Sequence, residues 1–459
     1  MLGLCTACSS NDVLDPDNPT PITVWTYYSG SQMQAFDSIV EEFNLTRGKE
    51  IGVVVEAETK GSIGALMEAI NASANKEVGS EQLPNIMSGY LDMAYDLEKK
   101  GLLADLDEYF SPKEISEYVD GYIEEGYFGE GNGLKVLPVL KSSEVLVINK
   151  TDWDKFANET GISFDTLSTW EGITQTAEKY YNWCGKAFFG RDSDANYLII
   201  GSKQLGAEIF EVTNGELKLN IDKNVMKKLW DNFYVPYIKG HFIKNGKFRS
   251  DDAKTGDLIA WVGSTASAVY LPKEVVVDET TSYPMEVVVL PLPNFENTES
   301  YAVQQGAGMM VTKSEKVYEY ASAEFLKWIT DTDVNVEFAL NASYAPVKKE
   351  ANNIENIKAI MKKSNIEISD AVKDTMEVLV KQATTYNMFT SKPFNNASEA
   401  RNLLGKVLVD KAVKDKEEID KLISEGKTRE EAVNLYNTQE NFEKWLENLK
   451  TELELVVNK

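Results

Sequence analysis

The chain is poor in the residues that most enzyme and metal chemistry needs. His241 is the only histidine in 459 residues, so multi-histidine metal sites cannot be assembled and a His-dependent triad has no support. Between Gly240 and Phe242 it reads as a structural residue. Cysteines number three, Cys5, Cys8 and Cys184, which excludes a disulfide framework, and no CxxC pair lies in the body. Basic residues are also short: 47 Lys and Arg face 73 Asp and Glu, a formal charge of -26. Such a field repels nucleic acid and anionic lipid, and it mildly favours a neutral or cationic small partner. No apolar run approaches the roughly 18 residues of a membrane span. The nearest thing to a phosphate loop, Gly240 to Phe248, has one residue too many and lacks the Ser/Thr that would hold magnesium. No metal or cofactor is expected.

What remains is an ordinary globular mixture, 43% hydrophobic and 26% charged, long enough at roughly 100–200 residues per domain for two or three folding units. The first eight residues, ending Thr6-Ala7-Cys8, read as the remnant of a lipoprotein signal, with Cys8 the candidate for lipidation. Residues 9–20, rich in Asp, Asn and Pro, cannot bury apolar area and read as a flexible tether. Together they place the body outside the cell membrane, anchored to its outer face.

The body opens with a βαβ rhythm. Pro21–Thr26 is a β-rich run, and Met33, Phe36, Ile39, Val40 and Phe43 recur at helical spacing. Ile51–Glu56, the helix Ile63–Ala74 and the strand Leu83–Met87 follow. This argues for a mostly parallel α/β lobe. Leu137–Leu140 and Val145–Ile148, joined by Lys141–Glu144, read as a crossing between lobes, and Pro291–Pro293 as a second. Ser168 and Glu171 have capping-box spacing, as do Thr428 and Glu431. Strands are expected at Asp257–Val262, Met285–Leu290 and Gly306–Val311, with a nearly all-helical chain from Asp331 onward. The fold class is α/β, with two discontinuous lobes: 21–140 with 292–330, and 141–291 with 331–459.

Several segments in order resemble the family 1 extracellular solute-binding proteins of ABC importers, the carbohydrate and glycerol-3-phosphate group. They are Ile22–Gly30, Lys60–Ser62, Leu83–Ile86, Leu102–Tyr109, Asn149–Lys150, Thr169–Glu171, Gly206–Phe210 and Gly263–Ser264. The most specific stretch joins Gly306–Ser314, Ala323–Ile329 and Ser343–Val347, the last with Ser343 where the family has Gly. The resemblance implies two α/β lobes hinged around a cleft that closes on a solute and presents it to ABC permease subunits, by binding without bond chemistry. It implies a monomeric, extracytoplasmic, non-enzymatic receptor, with no nucleic-acid partner.

Position by position, the resemblance implies substrate contacts from Tyr28 and Ser29 after the first strand, Ser62 in the Gly-Ser turn, and Tyr90 and Asp92 after the third strand. It further implies Ser142 and Ser143 at the first crossing, Trp170 at a helix start, Ser264 after Gly263, and Tyr344. Tyrosines, carboxylates and hydroxyls suit a sugar, which offers hydroxyls all round and weakly apolar C–H faces. Each position has a structural alternative: Trp170 as packing, Asp92 as a helix cap. A neutral mono- or oligosaccharide is favoured over glycerol-3-phosphate, because Leu91 stands where phosphodiester binders carry a carboxylate. A secreted glycoside hydrolase with a paired carboxylate and a surface adhesin are the alternatives from other classes.

Overall fold

The computed structural model describes residues 13–213, 215–364 and 366–459; Cys8 and the start of the tether lie outside them. The chain divides into two compact units: unit 1, Met1–Lys141 with Gln305–Glu367, and unit 2, Ser142–Gln304 with Ile368–Lys459. Among the described residues nine strands form the two larger sheets. In chain order they are β1 (Thr20–Thr26), β2 (Val53–Thr59), β3 (Ile86–Gly89), β4 (Leu137–Pro138), β5 (Glu144–Asn149), β6 (Phe189–Arg191), β7 (Ala260–Ser264), β8 (Val287–Leu290) and β9 (Gly308–Val311).

Unit 1 holds the sheet β2-β1-β3-β9-β4. β1 runs parallel to β2 from Thr20 opposite Val53 to Thr26 opposite Thr59, and parallel to β3 with Trp25 opposite Met87. β9 returns antiparallel along β3. Two buried runs drive this. On β1 Ile22 and Val24 alternate with exposed Pro21 and Thr23, and from Val24 on, Trp25 and Thr26 are buried as well, so the carboxyl half of this central strand is covered on both faces. The helix Ile63–Ala74 buries Leu66 and Ile70 at a four-residue interval beside Trp25, Met87, Met93 and Met310. Gly89 is needed where β3 ends, because a Cβ there would meet the Met93 methyl at 1.9 Å.

Unit 2 holds the sheet β8-β5-β7-β6. β5 is buried at all six positions, as a central strand covered on both faces must be. It pairs antiparallel with β7, Ser264 opposite Glu144, and β7 pairs parallel with β6, Val262 opposite Arg191. The helices Asp370–Thr385, Ala397–Ser424 and Gln439–Val457 complete the unit. There Trp230 stacks on Tyr234 at 3.6 Å and meets Trp445 at 5.1 Å.

Three features differ from the sequence reading. The unit boundaries fall at Gln304–Gln305 and Glu367–Ile368 instead of 291–292 and 330–331. Tyr301–Val303 pairs with Asn387–Phe389, which holds the chain in unit 2 past Pro293. The helix Thr332–Ala342 stays in unit 1, where Phe338 packs on Tyr28 and Phe36 at 5.8 and 5.9 Å. The cap of the helix Trp170–Cys184 is Thr169, whose hydroxyl accepts from Gly172 N, while Ser168 Oγ donates to Asp165 O. The second capping box, Thr428 with Glu431, forms as its spacing predicts. Of the expected tether, residues 13–19 are exposed apart from half-buried Leu14, and they touch the body at Asp15, whose O a Cβ on Gly52 would meet at 2.3 Å.

Candidate functional site

In unit 1, the strand order puts β2 on one side of β1 and β3 on the other. Connections leaving the carboxyl ends of β1 and β3 therefore part company, and a crevice opens between them. The loops at this place carry Tyr27, Tyr28, Ser29 and Tyr90, and the helix that follows β3 carries Asp92. Lys60 N donates to Thr26 O at 2.8 Å and Thr59 Oγ1 to Tyr28 O at 2.6 Å, which fixes the loop after β1.

Four tyrosines gather here. Tyr27 and Tyr28 stand edge to face, centroids 5.2 Å apart, and Tyr28 also meets Phe36 at 5.2 Å. Burial pushes the Tyr27 hydroxyl well above the usual tyrosine range, and Tyr28, Tyr344 and Tyr90 add to the shift. Burial likewise raises Tyr344, with Tyr90 reinforcing it. These phenols stay protonated at neutral pH, each a donor as well as an acceptor. Tyr28 is buried, Tyr27 and Tyr344 half-buried, and Tyr90 is 45% exposed. Tyr27, Tyr90 and Tyr344 make an aromatic surface with phenol oxygens along it, whereas Tyr28, expected at the solute, packs inward on Phe36 and Phe338.

Tyr344 reaches this place through a backbone turn. Ser343 closes the helix Thr332–Ala342 with φ +59°, in the left-handed region, and Tyr344 N donates to Ala339 O at 2.9 Å. The family's glycine at that position suits this geometry, and Ser343 adopts it at a cost. Asp92 sits in the first turn of the helix Leu91–Lys99, its Oδ1 accepting from Met93 N at 2.9 Å. Ser29 is exposed at the start of Gly30–Leu45 and makes no cap bond there. Ser62 is exposed but committed, accepting from Ala65 N at 3.2 Å.

Ser142, Ser143, Trp170 and Ser264 belong to unit 2. Two of them are occupied. Ser143 is fully buried, its Oγ donating to Val303 O at 2.7 Å and accepting from Gln382 Nε2 at 3.2 Å. Trp170 Nε1 donates to Gln204 Oε1 at 3.0 Å, and its ring packs on Tyr197 at 5.4 Å and Phe295 at 6.4 Å. Both side chains build the unit's interior, the structural alternative weighed for Trp170. Ser142 is buried. Ser264 is half-buried and caps the 3-10 turn Thr265–Tyr270 through Ala266 N.

Beside Ser264, the carboxyl ends of β6 and β7 hold a charged network that sequence reasoning passed over. Arg191 donates to Glu144 Oε2 at 3.0 Å and lies over the rings of Tyr197 and Trp170, at 5.0 and 5.4 Å. Asn196 Nδ2 donates to Glu144 Oε1 at 2.9 Å. Burial pushes the Glu144 carboxyl up despite Arg191. Asp194 pairs with Lys244. Asp192 is the outward member: Oδ1 accepts from Arg249 N at 2.8 Å, while Oδ2 would lie 3.0 Å from a Cβ on Gly263. Burial raises its carboxyl too, against the pull of Arg249 and Lys244. The signal was present in Gly190-Arg-Asp192-Ser193, a strand running into the helix capped by Ser193. Among the described residues no group of three or more His, Cys, Asp or Glu is arranged to hold a metal ion.

A model of the bacterial extracellular solute-binding proteins matches residues 38–366. Among curated proteins none matches the chain in sequence. Solved structures match it in fold. The cyclic alpha-maltosyl-1,6-maltose binding protein of Arthrobacter globiformis is similar at TM-score 0.68 and 17% identity, over 94% of this chain and 100% of that one. UgpB of Mycobacterium tuberculosis, solved with glycerophosphocholine, matches at TM-score 0.66 and 14% identity, over 96% and 99%. Lmo0181 of Listeria monocytogenes, solved with cycloalternan, matches at TM-score 0.63 and 14% identity, over 95% and 100%.

Proposed function

The chain belongs to the bacterial extracellular solute-binding protein family, and from that premise we propose that it is the receptor of an ABC importer for a neutral mono- or oligosaccharide. The observation that carries the sugar reading is the tyrosine surface of unit 1, Tyr27, Tyr90 and Tyr344, beside the buried ring of Tyr28 and with Asp92 on the neighbouring helix. Ring faces accept the C–H side of a pyranose, and phenols and a carboxylate exchange hydrogen bonds with its hydroxyls. Asp192 and Ser264 supply groups of the same kind in unit 2. The cyclic alpha-maltosyl-1,6-maltose and cycloalternan of two fold relatives support this ligand class. Delivery to a permease and anchoring through Cys8 complete the reading.

A thermal-shift and calorimetric panel tests it. The expected result is a raised melting temperature and quenched Trp fluorescence with one class of saccharide. Glycerophosphocholine belongs in the same panel because of the UgpB likeness; a response to it, or to amino acids, with none to any saccharide would overturn the sugar reading while leaving the receptor. Turnover of a chromogenic glycoside, abolished by a single carboxylate substitution, would instead favour a hydrolase. For the anchor, the mature protein should carry acyl chains on Cys8 by mass spectrometry, and Cys8→Ser should release it from the membrane fraction.

A further inference from the structure

We propose that unit 2 carries a second small-molecule site on its flank, a groove that takes a neutral saccharide. It lies between the helix Arg249–Lys254, the turn Thr265–Tyr270 and the hairpin of Glu274–Val276 with Ser282–Pro284, and has a volume of about 570 Å3. That is within the range of small-molecule sites, roughly 300–1,000 Å3. The groove shares two elements with the Asp192–Ser264 surface, since Arg249 N donates to Asp192 Oδ1 and Ser264 caps the turn Thr265–Tyr270, but it lies at their far ends, Lys254 and Tyr270, against the hairpin. Ser264 pairs with Glu144 at one end of the unit 2 sheet, whereas the hairpin runs into β8, whose Val287 pairs with Asn149 at the other end.

Two rings line it. Tyr270 is 78% exposed, a large aromatic held in water at the end of a turn whose start is fixed by the Ser264 cap. Tyr283 is set in place before any ligand arrives: its hydroxyl donates to Asp152 Oδ2 at 2.7 Å, and Lys155 Nζ stands 4.8 Å from its ring. Around the rings, Lys254, Lys273 and Glu274 make no side-chain hydrogen bond or ion pair with the protein among the described residues. With Asp251 they balance as two cations and two anions, so the groove attracts neither sign of ligand. Aromatic faces beside uncommitted donors and acceptors, in a neutral open groove, suit a polyol with an apolar face.

The proposal stands independently of the unit 1 site and is tested on the full chain labelled with 3-fluorotyrosine. The 19F resonance of Tyr270, identified by its loss in Tyr270→Phe, should move on titration with maltotetraose, cellobiose or methyl glucoside, with a Kd of about 1 mM. Read on the resonance of Tyr283, the other ring of the groove, identified by its loss in Tyr283→Phe, Tyr270→Ala should abolish the weak event and leave any tighter saccharide binding unchanged; Tyr344→Ala should leave the weak event in place. A Tyr270 signal that stays fixed with all three probes at about ten times that concentration would overturn the proposal. So would movement that disappears in Tyr344→Ala, since it would then report the unit 1 site.

Discussion

At the residue scale, the tyrosine cluster and His241 make separable predictions. Tyr344 is half-buried at the surface of unit 1 and closes no core cluster. Truncating it removes a ring face and a phenol from the solute while the fold keeps its core. Tyr344→Ala should therefore weaken saccharide binding about tenfold or more, ~1.4 kcal/mol, with little change in the apo melting temperature. Asp92→Ala should behave likewise, and unfolding of either variant before ligand is added would identify a structural residue. His241 tests burial instead. It is buried beside the Tyr181 ring at 5.1 Å, and burial, with Lys239 and Arg429 nearby, lowers its pKa to about 4. The unfolded imidazole titrates near 6.5, so between these values the unfolded chain binds the extra proton and stability falls as pH falls. His241→Phe cannot titrate. From pH 7 to pH 5 the wild type should lose about 2 kcal/mol relative to that variant, read from denaturant midpoints. Glu144, Asp192 and Asp194 are shifted the other way, and so the difference between the two proteins, not the slope of either, is diagnostic.

Elements show where a sequence speaks plainly. The helix Thr332–Ala342 ends at Ser343 with φ +59°, a conformation that costs a residue with a Cβ roughly 1–2 kcal/mol. Ser343→Gly relieves it and loosens the unfolded chain, so it should leave the melting temperature level or slightly raised, whereas Ser343→Val should lower it clearly. A fall with glycine as large as with valine would show that the serine hydroxyl matters. The departure from Gly was legible in the sequence; its backbone meaning needed the turn. Likewise the Thr428 capping box was readable because both partners are local, while Ser168 yielded to Thr169 because the helix starts one residue later. The unit boundaries were less readable: what keeps Tyr301–Val303 in unit 2 is a pairing with Asn387–Phe389, more than eighty positions downstream. The unit 1 residues were legible through strand-end loops and the family resemblance. Tyr27 was missed beside Tyr28 because the resemblance was carried over one position at a time and pointed to Tyr28, while both lie in the loop beyond Thr26, where no strand alternation sorts them. Asp192 was missed because, among 73 acidic residues, only its placement against Gly263 sets it apart.

For the whole molecule, the dominant property is the formal charge of -26. That field acts on any charged solute and is screened over roughly 8 Å at physiological salt, whereas a neutral ligand feels no net pull from it. Affinity for a neutral saccharide should accordingly stay within about twofold between low salt and several hundred millimolar. An anionic solute would bind more tightly as salt rises, because screening removes its repulsion, unless a local cation holds it. In unit 2 the cations beside the candidate surface are already committed: Arg191 to Glu144, Lys244 to Asp194, Arg249 to Asp252. Releasing one for a phosphate would leave a buried carboxylate unpaired, at a cost of several kcal/mol. Calorimetric titrations at two salt concentrations therefore separate the candidates without identifying the sugar. A flat response supports the neutral ligand, and an affinity that climbs steeply with salt would turn the reading toward an anionic one.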